Sequence, residues 1–173
     1  MQIVPGAPVS LPKLELQEIV SWDGSSVDEL CHVYPPEFGP RHREYVVKAL
    51  QEYGDSGAWC FAAHYDGRLA GAFWLSQLNP WYASLNLPYV QGEYVVRNLF
   101  VIPDYRGRGI SKLLLSYGLH TTAPRGVSSI LSLIPADRPA SLRAHLSVGF
   151  QLIGSFRRCR RWFKGKDSFV AAR

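Results

Sequence analysis

Cysteine is scarce, with three residues in 173, and Cys31, Cys60 and Cys159 are far apart. With an odd count, no Cys-x-x-Cys pair and no histidine at ligand spacing, they read as buried thiols; a disulfide framework and a metal site are excluded. Long apolar runs are also missing: none approaches the roughly 18 residues of a membrane helix. Met1 to Lys13 has neither a basic n-region nor an apolar h-region, so the expectation is a soluble cytoplasmic protein without a membrane partner. Fifteen glycines and twelve prolines, without period, are too few for a fibrous chain. An apolar share of 47% against 19% charged residues excludes a disordered one. No internal repeat or low-complexity segment breaks the chain, and its length suits one domain spanning residues 1–173.

The formal net charge of +5 conceals an asymmetry. Residues 1–96 carry 5 basic and 11 acidic side chains, whereas residues 97–173 carry 14 basic and 3 acidic ones. The second half is suited to an anionic partner, whether nucleic acid, membrane surface or a phosphate-bearing small molecule.

Alternation at Leu14 and Leu16 predicts a strand over 14–20. Ser26 with Glu29 forms a capping box that opens a short helix, stopped by Pro35-Pro36. A second helix over about 41–53 places Val46, Ala49, Leu50 and Tyr53 on one face and ends at Gly54. Strands over about 58–65 and 69–77 meet at Asp66-Gly67, a dipeptide that tolerates the positive φ angles of a tight hairpin. Residues 79–92 form a long loop with Trp81, Tyr82 and Tyr89. A central strand follows from Glu93 to Ile102, closed by Pro103. A helix begins at Gly109, a strand covers 128–134, and a helix over 139–148 closes at Gly149. Two last strands are predicted at about 150–157 and 159–165. This order of elements mixes an antiparallel meander with βαβ crossovers, giving an α/β fold with a mixed, mostly antiparallel sheet.

The most informative segment runs from Asn98 to Ser111. A strand enters a Gly-rich basic turn, Arg106-Gly107-Arg108-Gly109, and a helix starts at once with Ile110, Ser111 and Lys112. Such a junction gathers unpaired N–H groups where the helix macrodipole favours negative charge, which suits a pyrophosphate cradle; a Gly-rich turn that serves packing alone is the equal alternative. The spacing matches neither a P-loop nor a dinucleotide fingerprint.

Arg106 to Ser111 resembles the Gln/Arg-x-x-Gly-x-Gly/Ala signature of the GNAT superfamily of acyl-CoA N-acyltransferases, preceded by a strand of the expected kind. Asp137 to Phe150 is similar to the family's later Asn-x-x-Ser/Ala helix ending in Gly-Phe. Nearly the whole chain fits the family's order of elements, including central strands splayed at a bulge. The resemblance implies acetyl-CoA as co-substrate and no metal. It also implies that the backbone of Leu99, Phe100 and Val101 pairs with the pantetheine arm, that Arg106 to Lys112 hold the pyrophosphate, and that an N–H near Val101 polarises the thioester carbonyl.

Three positions depart from the family pattern. Ser111 replaces the last Gly/Ala; Arg138 stands where many members have a cofactor-contacting Asn; His145 stands where many have a Tyr that protonates the departing thiolate. His145 shares an apolar helix face with Leu142 and Leu146, which equally suits a core residue. Glu93 lies where several members place a general base, and a solvent-facing carboxylate is the bland alternative.

The resemblance places the acceptor among Tyr34 to Glu44, the loop with Trp81, Tyr82 and Tyr89, and the last two strands. An aromatic, partly acidic site suits a small-molecule amine such as an amino sugar, amino acid or polyamine. Protein or peptide acetylation and a non-catalytic acyl-CoA sensor are the alternatives. The basic run Arg157 to Lys164 could bind nucleic acid, but the acidic first half lacks a matching stripe, and a monomer or homodimer without nucleic acid is expected.

Overall fold

The computed structural model describes residues 12–19, 42–78, 94–159 and 166–172. Within them the elements are β1 (Leu14–Ile19), α1 (His42–Asp55), β2 (Trp59–Tyr65), β3 (Arg68–Gln77), β4 (Tyr94–Val101), α2 (Ile110–Thr122), β5 (Ile130–Pro135), α3 (Pro139–Ser147), β6 (Leu152–Cys159) and β7 (Lys166–Ala172). The strands form one sheet in the order β1-β2-β3-β4-β5-β7-β6. Every pairing is antiparallel except β4 with β5. The mixed α/β architecture expected above is therefore present, with α2 as the crossover between the two parallel strands.

Both faces of the sheet are covered, which explains why β2 and β3 read as nearly unbroken apolar runs. On one face α1 packs Val46 and Tyr53 against Cys60, Ala62, Ala72 and Trp74. On the other, Ile110, Leu114 and Leu115 of α2 pack with Phe61, Phe73 and Leu75. Gly118 lets α2 approach closely, since a Cβ there would run into the Phe73 ring. No helix among the described residues is long and apolar enough to cross a membrane.

The hairpin between β2 and β3 turns at Asp66 (φ 56°) and Gly67 (φ 74°), the left-handed pair its sequence called for. Most strand boundaries shift by one or two residues, and two departures from expectation have a local cause. Helix α1 runs through Gly54 and ends at Asp55, because the left-handed stop is Gly57 (φ 64°) and the Gly57 N–H reaches back to the Gly54 carbonyl. The last strand is Lys166–Ala172, not 159–165, and Cys159 is the final residue of β6. Apolar alternation is faint through the basic run, so it could not locate the turn. The pairing of Cys159 with Lys166 and Arg158 with Asp167 sets the register. The expected helix after Ser26 and the aromatic loop at 79–92 lie outside the described residues.

Candidate functional site

Strands β4 and β5 pair only over Tyr94–Val96 against Ile130–Ser132. Beyond Ser132, β5 continues against β7 while β4 continues against β3, so the two parallel strands part like a fork. The root of the fork carries a bulge. Register between β3 and β4 slips between the pairs Trp74–Arg97 and Ala72–Phe100, and Asn98 adopts φ 50°. Asparagine is among the few non-glycine residues that enter this region readily.

The bulge re-aims the chain in two ways. First, it places consecutive side chains on the α1 face: the Asn98 amide donates to the Tyr53 hydroxyl at 2.6 Å, and the Arg97 guanidinium lies 4.9 Å from the centroid of the Tyr53 ring. Second, it shifts the backbone phase. The Ile102 N–H donates to the Ala70 carbonyl of β3, so by alternation Phe100 also faces β3, while the peptide groups of Leu99 and Val101 face the fork. Of the three residues expected to offer backbone to a pantetheine arm, two are so oriented.

At the open end of the fork, Gly107 and Gly109 both have φ 76°, and a Cβ on either would meet nothing within 4 Å. These glycines serve backbone conformation beneath open space. The Leu113 N–H bonds the Gly109 carbonyl, which leaves the N–H groups of Ile110, Ser111 and Lys112 in the first turn of α2, where no side chain caps them. Ser111 is therefore not a cap. The cations are only partly directed there. Arg106 Nε donates to the Val101 carbonyl at 3.0 Å, and the Arg108 guanidinium lies 5.1 Å from the Tyr65 centroid and 5.8 Å from that of Tyr105. Lys112 is exposed. Arg138, exposed at the start of α3, follows the end of β5 and so stands at the same open end.

His145 is 1% exposed and points from α3 to the root of the fork. Its Nδ1 lies 2.8 Å from the Ser141 carbonyl, which can only accept, so Nδ1 carries a proton. In the neutral ring, Nε2 then accepts from the Ser132 hydroxyl at 2.9 Å. Ser132 is the last β5 residue paired with β4. The ring also meets Phe150 edge-on at 5.0 Å. Leu146 does not share this face; it is 44% exposed, because it sits about 100° further round a short helix.

Burial holds the His145 pKa below its ordinary value, outweighing the Ser141 bond. The neutral form is thus favoured in the folded state, and the unfolded chain takes up the extra proton as pH falls below about 6.5. Stability should fall as pH drops below about 6.5, and His145→Gln should lessen that slope in urea titrations at pH 7.5 and 5. The Cys60 thiol is inert by the same logic, its pKa pushed up first by burial and then by the Glu18 charge.

Glu93 and the aromatics Trp81, Tyr82 and Tyr89 lie outside the described residues, as do the side chains of the C-terminal basic run. Sequence reasoning missed Tyr53 and Gly71 as parts of the site. It quoted Asn98 without seeing its role, although an Asn inside an apolar strand is a bulge signal.

A family model described as the acetyltransferase (GNAT) family matches residues 27–150. The mycothiol acetyltransferase of Rhodococcus jostii (strain RHA1) is 29% identical over 160 residues, covering 85% of this chain and 50% of that protein. The chain thus spans about half the length of this curated relative. Among solved structures, the ribosomal-protein-alanine N-acetyltransferase of Brucella melitensis aligns with a TM-score of 0.71 at 17% identity, covering 91% of this chain and 97% of the other. The yncA protein of Salmonella typhimurium, solved with its cofactor acetyl-CoA, aligns with a TM-score of 0.69 at 13% identity over 92% of each chain. At these identities the structural likeness speaks to the fold, and the family match covers most of the chain. With its forked sheet and glycine-lined helix start, the chain belongs to the acetyltransferase (GNAT) family, whose members are acetyl-CoA-dependent acyltransferases.

Proposed function

We propose that this protein transfers an acetyl group from acetyl-CoA to the primary amine of a small molecule, by direct attack while both substrates are bound. The observation that carries this reading is the fork between β4 and β5, with a strand edge along one side that pairs with no strand among the described residues and a helix start without a side-chain cap at its mouth. The residues present fit the donor: Gly107 and Gly109 leave open space over the N–H groups that would meet its pyrophosphate. The donor supplies an acetyl group already activated as a thioester.

The chain's own contribution is positioning and charge. Leu99 and Val101 offer peptide groups to the fork as an added strand would use them. An N–H on this edge polarises the carbonyl under attack. The uncapped N–H groups of Ile110 to Lys112, with Lys112 and Arg138 nearby, attract the phosphates. Arg106 braces the Val101 carbonyl and so keeps the edge straight.

We assign Glu93 as the base that takes the amine proton. His145 is assigned to the departing thiolate: since burial favours the neutral ring, Nε2 would first take up a proton from solvent, with the Ser132 hydroxyl turned away, and then pass it to the sulfur. The small-molecule acceptor is favoured by the likeness to mycothiol acetyltransferases, whose name specifies a small thiol.

The test is thiol release from acetyl-CoA with small amines and with peptide N-termini. Release with small amines supports the reading; release with peptides alone would move it to protein acetylation, and donor binding without release to a sensor. His145→Phe should lower turnover at least roughly tenfold with donor affinity nearly unchanged. Unchanged turnover would assign His145 to packing. Glu93→Gln should remove the rising limb of the pH–rate profile.

A further inference from the structure

The α1 face at the root of the fork carries a cation that the reading above does not use. Val95 and Val96 are buried, but Arg97, the next residue of β4, is half-buried against the Tyr53 ring. It has no carboxylate within ion-pair distance among the described residues. Its setting is otherwise aromatic: Tyr53 is tilted against Trp74 at 5.3 Å, and Trp74 against Phe100 at 6.3 Å. The Asn98 amide, aimed at the same Tyr53 hydroxyl, is exposed. A partly desolvated guanidinium stacked on a ring keeps its charge and keeps N–H donors directed away from the stack.

Its placement follows from backbone. Val96 is the last β4 residue paired with β5, and Asn98 is the bulge, so Arg97 sits where the strands part. It faces the α1 side, whereas Leu99 and Val101 pack toward α2. Among the described residues, Arg97 and Asn98 stand on the α1 side at the root of the fork.

We propose that Arg97, with Asn98 beside it, anchors an anionic group of the acceptor, so that the acceptor is an amine bearing a carboxylate or phosphate rather than a polyamine or a neutral amine. This rests on the acetyl-transfer reading and sharpens it. An arginine fork matches either oxyanion in bidentate fashion. The same charge disfavours the ammonium form of a nearby amine and so aids the neutral nucleophile. A polyamine would bring further positive charge to a positive site.

The test uses the full chain with acetyl-CoA and matched acceptors: L-amino acids, their carboxamides and the decarboxylated amines; glucosamine 6-phosphate and glucosamine; and spermidine. The expected result is that kcat/KM for an anionic member exceeds that of its neutral counterpart by at least about tenfold. The amino-acid and sugar-phosphate arms distinguish carboxylate from phosphate. Arg97→Gln should erase that preference by raising the acceptor KM at least about tenfold, with the KM for acetyl-CoA unmoved and rates for neutral amines retained; Arg97→Lys should restore part of it. Equal rates for charged and neutral partners, faster turnover of spermidine, or an equal loss for both classes in Arg97→Gln would overturn the proposal while leaving acetyl transfer intact. Absence of thiol release with every amine tested would instead overturn the underlying reading, and this proposal with it.

Discussion

Gly71→Ala is expected to cost about 3 kcal/mol of folding stability and to weaken acetyl-CoA binding at the same time. A Cβ at Gly71 would lie 2.6 Å from the Phe100 carbonyl oxygen and 3.2 Å from the Val101 Cα. Both obstacles are backbone atoms of β4, and Gly71 is paired directly with Val101. No side-chain rotation relieves such a clash, so β3 and β4 must move apart where β4 presents its edge to the fork. The urea midpoint should fall with an unchanged m value, and donor affinity should fall with it. Gly118→Ala supplies the contrast. There the clash is with the Phe73 ring on the α2 face, so stability should fall while donor affinity holds. Equal donor affinity in both variants would separate the fork's edge from binding.

With a neutral amine as acceptor, Asn98→Val is expected to lower kcat/KM at least about a hundredfold, whereas Asn98→Gly should retain most of the activity. A β-branched residue in the left-handed region costs roughly 1–2 kcal/mol, and the bond to the Tyr53 hydroxyl contributes about 1 more. The strand can escape that cost by surrendering the bulge, which would turn the Leu99 peptide away from the fork. Glycine enters the same backbone conformation without penalty and loses only the amide. Steady-state kinetics on the two variants separates bulge geometry from the Asn98–Tyr53 bond. Equal losses in both would place the effect in the hydrogen bond.

Most of the architecture was legible in the residues. Asp66-Gly67 marked its hairpin, Gly109 marked the start of α2, and Pro139 with Gly149 placed α3 within a residue or two. What escaped was whatever depends on pairing across the sheet. The bulge at Asn98 is a mismatch between two strands and leaves little trace in β4 alone. Gly71 reads as an ordinary small residue until β4 is laid against it. The last strand was misplaced because the basic run lacks the period-two contrast that fixes a turn.

Within the site, local chemistry was visible and direction was not. The Gly-rich turn suggested an anion cradle from its residues, but only geometry directs Arg106 to a backbone carbonyl and Arg108 to two tyrosines. The donor site would then rely chiefly on backbone N–H groups, with fewer arginine side chains than the charge count suggests. His145 likewise looked like either an acid or a core residue. Its two partners, Ser132 and Ser141, come from a neighbouring strand and from one helical turn earlier, and no spacing rule brings the first of these together with it.

The central claim is that acetyl-CoA lies along β4 in the fork with its phosphates at the start of α2. Amide hydrogen exchange, resolved to single residues with and without acetyl-CoA, tests it most directly. New protection is expected at the N–H groups of Leu99 and Val101 and across Gly107 to Lys112, with little change at Phe100 and Ile102, whose N–H groups already face β3. Protection confined to other parts of the chain, or none at saturating acetyl-CoA, would contradict it.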